Sequence, residues 1–268
     1  PWDIVILGCG QLGGNLKTEL EAEKLKVLGV RRTPIPDDPT CLSLDLDAPD
    51  SWDRLCRIPL SQQAVIVTIM TPDARTEEAY RERYVGVSAR LRQWASLPGR
   101  EHPVIWVSSA AVFGQHQTGI LDESVRVSPD HWRGELLWEA EQNIAQIKAP
   151  TTVIRFAGLY YAKSLMRLSD PVFRAQLDPE TVSNRMHRQD AVSWLRELAV
   201  GHYRGDQMPA LIHGVDRGST KYQQIFDLLD GKSSALTPAT EGRVLATQLG
   251  DRMPRLRYPT CEAVLSQS

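Results

Sequence analysis

The chain is expected to fold as an α/β protein, a doubly wound parallel sheet with a small discontinuous C-terminal lobe. Three observations lead there. Short Val/Ile-rich runs recur along the chain, amphipathic stretches separate them, and the rhythm fails after Phe156. Continuous apolar runs suit parallel strands buried on both faces, and strand–helix alternation suits crossover connections. The runs Asp3–Leu7, Lys26–Val30, Ala64–Ile69, Val104–Ser108 and Thr152–Phe156 read as strands, with Leu211–Val215 a weaker sixth. Between them, Leu12–Glu23, Thr76–Leu97, Pro129–Lys148 and Ser219–Leu229 are helix candidates. In the second, Tyr80, Tyr84, Val87, Leu91 and Trp94 form one apolar stripe; Thr76 can cap its start and Pro98-Gly99 closes it. Ser128-Pro129 suits an N-cap followed by proline in the first helical position. Beyond Phe156, Tyr160–Arg185 carries two Asp-Pro pairs and little periodicity. The division expected is a main domain over 1–157, a lobe built from 158–185 and 232–268, and a return to the main domain over 186–231.

With 268 residues, 42% apolar and 24% charged, the chain has the composition of a folded globular protein. Lys plus Arg is 31 against Asp plus Glu at 33, so charge gives no case for nucleic acid or an anionic membrane. No apolar run approaches the ~20 residues of a membrane span. Pro1-Trp2-Asp3 lacks a basic n-region, so no signal peptide is indicated. Cys9, Cys41, Cys56 and Cys261 form no C-x-x-C pair and read as buried thiols in a reducing compartment, which makes a cytoplasmic protein the expectation. His102, His131, His202 and His213 lack metal-ligand spacing, so no metal site is expected. The seven tryptophans are scattered and read as packing.

The first strand runs into Gly8-Cys9-Gly10-Gln11-Leu12-Gly13, a G-x-G-x-x-G turn that opens a helix. Gly8 allows the tight turn, Gly10 lets backbone approach a pyrophosphate, and Gly13 lets the helix pack on the strand. The alternative is an ordinary βα turn; the position at the first strand favours a dinucleotide. The second strand ends in Arg31-Arg32 with no acid there to hold a ribose 2′-hydroxyl. Guanidinium groups fork onto phosphate oxygens, so NADP(H) is favoured over NAD(H). Two solvated surface arginines are the plainer alternative.

Several further segments, in order, resemble the extended short-chain dehydrogenase/reductase family, its NAD(P)-dependent epimerase/dehydratase branch. Asp45-Leu46 is similar to the pair that flanks the adenine. Val107–Gly114 resembles the S-S-x-x-V-Y-G strand end, and Leu121-Asp122-Glu123-Ser124 the acidic turn after it. Arg155–Tyr160 resembles R-x-x-x-x-Y, and Arg185–Asp190 resembles R-x-H-x-x-D. The resemblance implies a Rossmann-type domain with cofactor contacts from Gly8, Gly10, Gln11, Leu12, Gly13, Arg31, Arg32, Asp45, Leu46, Thr68, Met70, Ser108, Phe156, Ala157 and Gly158. It implies a catalytic hydroxyl at Ser109, which polarises a substrate carbonyl, and substrate contacts from Arg133 and Tyr160. A strand-end serine bonding its own backbone is the alternative for Ser109.

The departures bear on chemistry. Family members carry Tyr-x-x-x-Lys, whose phenol moves the proton and whose lysine lowers its pKa. None of Lys17, Lys24, Lys26, Lys148, Lys163, Lys221 and Lys232 follows a tyrosine by four. Aligned on Glu141, Arg133 stands at the tyrosine and Leu137 at the lysine. The family turn is also more often G-x-x-G-x-x-G, where this chain has Leu7 first. Substitute acid/base candidates are His131, Trp132, Arg133, Tyr160, Tyr161 and His187. His187 is weighted towards anchoring the lobe, and His116 towards a solvated loop. Two readings stay open. One is an oxidoreductase or epimerase/dehydratase-like enzyme acting on a small, sugar-like carbonyl or alcohol. The other is an NADP(H)-binding regulator or scaffold that has lost catalysis. The oligomeric state is left open, a homodimer included.

Overall fold

The structure, a computed structural model, describes residues 1–233 and 235–265. Seven parallel strands form the central sheet: β1 (Trp2–Leu7), β2 (Val27–Arg31), β3 (Cys41–Ser43), β4 (Leu60–Thr68), β5 (Val104–Ser109), β6 (Thr151–Phe156) and β7 (Leu211–Gly214). Their order is β7-β6-β5-β4-β1-β2-β3, so the winding reverses between β1 and β4. A ligand crevice forms beyond the carboxyl ends of the strands at such a reversal.

Alternation along β1 builds two cores. Ile4 and Ile6 face α1 (Gln11–Ala22) and share a buried cluster with Leu16, Leu20, Trp194, Leu195 and Leu198. Val5 and Leu7 face the opposite layer, with Trp52, Leu91, Trp94, Ala140 and Ile144. That layer is made of α2 (Pro49–Leu55), a composite helix α3, and α4 (Trp132–Ala145). In α3, Glu77–Tyr80 passes through a π-helical stretch, Arg81–Gly86, before resuming as Val87–Ala95. The first layer is completed by α5 (Arg188–Arg204), capped by the His187 ring, whose Nδ1 accepts the Gln189 N–H.

Several elements depart from expectation; α2 had no candidate, and the helix expected from Ser219 begins at Tyr222. The helix predicted from Pro129 begins at Trp132, with His131 as its cap. The preceding chain is claimed elsewhere: Gln117 Oε1 accepts the Ser128 N–H at 2.8 Å, and Asp130 pairs with His116. A chain tethered at 128 and 130 stays extended until both ties are behind it. The long helix α5 was not among the candidates, although Val192, Leu195, Leu198 and Ala199 give it an apolar stripe.

After Phe156 the chain forms short ladders. Gly158–Tyr160 pairs with Arg185–His187, Val182–Ser183 with Thr220–Lys221, and Gly119–Leu121 with Arg243–Leu245. A separate buried cluster joins Tyr160, Leu165 and Leu168 to Ile225 and Phe226 of α6 (Tyr222–Leu229) and to Tyr258, Cys261 and Val264. Asp190 fastens the tail there, its carboxylate accepting the N–H groups of Arg257 and Tyr258 at 2.7 and 2.9 Å. Of the lobe expected over 158–185 and 232–268, positions 234 and 266–268 lie outside the described residues. Among the described residues, no helix is long and apolar enough to cross a membrane, and no group of His, Cys, Asp and Glu is placed to hold a metal.

Candidate functional site

The turn after β1 needs glycine for reasons that differ by position. Gly8 has φ +86°, and a Cβ there would lie 2.0 Å from the Ile69 carbonyl oxygen. Its N–H and that of Cys9 both donate to the Val30 carbonyl, fastening the turn to the end of β2. At Gly13 a Cβ would meet Ile6 Cγ2 at 3.1 Å, so α1 sits close on the strand. Gly10 is the opposite case: a Cβ there meets nothing within 4 Å. Over this open ground α1 begins without any side-chain cap. Its first N–H groups and the positive end of its dipole therefore face free space, the arrangement that receives a phosphate. Gln11 is exposed, and its Oε1 accepts from Arg188 Nη1; Leu12 packs against the core.

Beside the turn lies a cavity of about 200 Å³ lined by Val30, Arg31, Arg32, Leu46, Met70 and Arg83. Leu46 is buried, while Asp45 beside it is exposed and accepts the Asp47 N–H. Thr68 is fully buried at the end of β4, and its Oγ1 has no partner among the described residues. Arg32 is bidentate to Asp73, and that bond holds the Asp73 carboxyl below its ordinary range. The buried Arg83 joins the group, 2.8 Å from Asp47 and 3.4 Å from Asp73. Burial pushes the Asp47 carboxyl up, against the pull of Arg83. Arg31 has no ion-pair partner among the described residues. A π-helical turn re-aims the side chains it carries, and here Arg83 reaches this network while the Tyr84 hydroxyl donates to the Met70 carbonyl at 3.3 Å. The sequence reading missed Asp73 because its bond to Arg32 spans 41 positions.

The other end of the crevice is built by β5 and β6. Ser109 registers with Phe156 across the two strands. Its Oγ accepts the Ala111 N–H at 3.2 Å, leaving its own O–H to donate elsewhere. A second cavity, about 290 Å³, opens there and is lined by Ser109, Phe156–Gly158, Asn184, Tyr222 and Arg243. Ser108 points the other way: its hydroxyl donates to Glu141 Oε1 at 2.5 Å. Glu141 is also bound by Arg155, Nη2 to Oε2 at 2.7 Å, and both side chains are 4% exposed. Ser108 is therefore tied into a structural ion pair and does not line the cavity.

Arg133 and Leu137, the positions set against the Tyr-x-x-x-Lys pair in the sequence, are both held by packing. Gly134 presses α4 against the Ala111 carbonyl, 2.7 Å from a Cβ built on it. The neighbouring Arg133 guanidinium lies 5.5 Å from the Tyr80 ring and 5.3 Å from the Trp132 ring. Leu137 is 1% exposed, inside a cluster with Val112, Phe113 and Leu121. Tyr160 does not line the cavity; it is buried in the lobe, 5.4 Å from the His187 ring, and burial pushes its hydroxyl above the usual range. His187 is buried between Tyr160 and Tyr258, and burial lowers its pKa. His131 and His116 are exposed, the second against Asp130. The cavity side chains that the sequence reading missed include Asn184, Tyr222 and Arg243. Asn184 adjoins the R-x-H-x-x-D segment and was within reach. Arg243 arrives on a three-residue strand with no periodicity to announce it.

The sequence model of the RmlD substrate binding domain matches residues 3–183. No curated protein matches the chain by sequence. Among solved structures, the chain is similar to a protein assigned as an NAD-dependent epimerase/dehydratase from Methylobacillus flagellatus. The TM-score is 0.76 at 22% identity, covering 99% of this chain and 97% of that one. It is also similar to MoeE5 in complex with UDP-glucose and NAD, at TM-score 0.75 and 19% identity, covering 98% and 96%. A third is a dTDP-4-dehydrorhamnose reductase from Clostridium acetobutylicum, at TM-score 0.65 and 16% identity, covering 99% and 92%.

Proposed function

Because this chain belongs to the RmlD substrate binding domain family, we propose that it binds a nicotinamide dinucleotide along the strand ends and acts as an oxidoreductase or epimerase/dehydratase on a sugar nucleotide. The observation that carries the reading is the uncapped start of α1 over the open ground at Gly10. A diphosphate fits that ground, with the adenosine towards Val30, Leu46 and Met70 and the other half towards Ser109 and Phe156–Gly158. Bound there, the cofactor supplies or accepts a hydride. The chain's own part is to orient the substrate and hold its oxygen. Ser109 donates its O–H to the carbonyl or hydroxyl oxygen, while Asn184, Tyr222 and Arg243 bound the sugar side of the cavity. The UDP-glucose and NAD in the MoeE5 structure support this substrate class.

NADP(H) remains the favoured form. Among the described residues, Arg31 is the cation at the adenosine cavity that has no ion-pair partner, and Arg32 is shared with Asp73. A specific observation also supports a second reading, a dinucleotide-binding regulator without turnover: the lysine position is occupied by a buried leucine. Mixing the protein with reduced cofactor and 4-keto sugar nucleotides, or with oxidised cofactor and 4-hydroxy ones, and following nicotinamide absorbance and product, separates the two. Cofactor-dependent product supports the enzyme. Tight cofactor binding with no conversion across the panel supports the regulator.

A further inference from the structure

We propose that Arg188 is a clamp for the diphosphate of the bound dinucleotide, reaching over the glycine turn from the start of the neighbouring helix α5; this rests on the dinucleotide reading above. Arg188 is the first residue of α5. α5 and α1 pack side by side through Leu16, Leu20, Leu195 and Leu198, and Arg196 pairs with Glu23 further along them. The two helices therefore start next to each other, and Arg188 stands at the level of the α1 N-terminus. Its guanidinium donates to Gln11 Oε1, on the first residue of α1, and lies 4.6 Å from the centre of the Tyr161 ring. Tyr161 follows Gly158–Tyr160, the strand leading away from the Ser109 end of the crevice. Arg188 thus spans the gap between the adenosine half and the nicotinamide half, where a diphosphate would run.

Its partners make it available. Gln11 is neutral, and no carboxylate pairs with Arg188 among the described residues. Exchanging an amide oxygen for phosphate oxygens turns a neutral acceptor into a charged, bidentate one, the stronger arrangement for a guanidinium. The Tyr161 ring, 4.6 Å from the guanidinium, holds the side chain meanwhile, which lowers the entropy lost on binding. Gly10 leaves the space into which those oxygens fit.

The test is titration calorimetry of NADH and ADP-ribose, with adenosine read by its displacement of bound NADH, on wild type, Arg188→Ala and Arg188→Lys. Arg188→Ala is expected to weaken NADH and ADP-ribose by roughly ten- to hundredfold, the loss of a charge-assisted pair. Uncharged adenosine should hold within about threefold, because only the phosphate contact is removed. Arg188→Lys keeps the charge without the fork and should fall between. NADH affinity equal to wild type in Arg188→Ala, or an equal loss for adenosine, overturns the clamp alone. If wild type binds none of NADPH, NADH and ADP-ribose while its melting is cooperative, the dinucleotide reading falls and the clamp with it.

Discussion

Replacing Glu141 with glutamine should destabilise the fold far more than its small change in shape suggests. The carboxylate accepts from Ser108 Oγ and from Arg155 Nε and Nη2, and Arg155 also has His213 Nε2 at 3.5 Å. With both members of the pair 4% exposed, glutamine leaves the Arg155 cation buried against a neutral group. Breaking a buried pair from one side costs about 3–5 kcal/mol. For a chain of this size that lowers the midpoint of melting by on the order of 10 °C. Urea unfolding followed by tryptophan fluorescence reads the loss directly. Removing both charges as Glu141→Leu with Arg155→Met should recover most of it, since the desolvation cost disappears with the attraction. The reasoning is refuted if Glu141→Gln stays within ~1 kcal/mol of wild type, or if the double variant is worse than the single one.

Three further outcomes follow from the same geometry. Arg31→Ala should weaken NADP(H) by roughly tenfold and spare NAD(H), whereas Asp73→Ala should release Arg32 and shift preference towards NADP(H); a titration in which Asp73→Ala leaves the ratio unchanged removes the role assigned to that pair. Ser109→Ala should bind cofactor normally but lower turnover by on the order of 10²–10³, as expected for a lost donor to the reacting oxygen; undiminished turnover would strip Ser109 of its catalytic place. His202 is buried on Thr152 Oγ1, and burial lowers its pKa from 6.5 to about 4. The native fold thus resists its protonation, so its contribution is complete above pH 6.5 and is lost as pH falls towards 4. The stability gap between wild type and His202→Gln should shrink by roughly 3 kcal/mol over that window, and a gap independent of pH would contradict it.

The main sheet was legible because its signals are local. β1, β2 and β4–β6 announce themselves as buried Val/Ile runs, and Gly8 and Gly13 each meet a close approach that glycine answers. The helix after Ser128-Pro129 began late because two loop side chains, Gln117 and His116, compete for the chain that proline would have started. No local pattern records such a competition. The pairing of Arg32 with Asp73 is equally non-local, and it alters what two adjacent arginines can offer a phosphate. Tyr160 was expected at the substrate because a motif pointed to it. The lobe's own core claims that ring instead, and Tyr222 lines the cavity. The chemistry at the Arg133 and Leu137 corner is legible only as a departure, since both residues answer to packing around Tyr80, Trp132 and Val112.

The most direct test of the account is cofactor titration of Gly10→Val beside wild type. Gly10 has φ −82°, outside the left-handed region, and a side chain there meets no protein atom within 4 Å. The variant should therefore melt like wild type while its isopropyl group occupies the ground proposed for the diphosphate. Micromolar-range NADP(H) binding by wild type, lost in a Gly10→Val protein of unchanged melting temperature, is the predicted result. Equal cofactor affinity in the two proteins would contradict the account and leave the glycine turn as a turn alone.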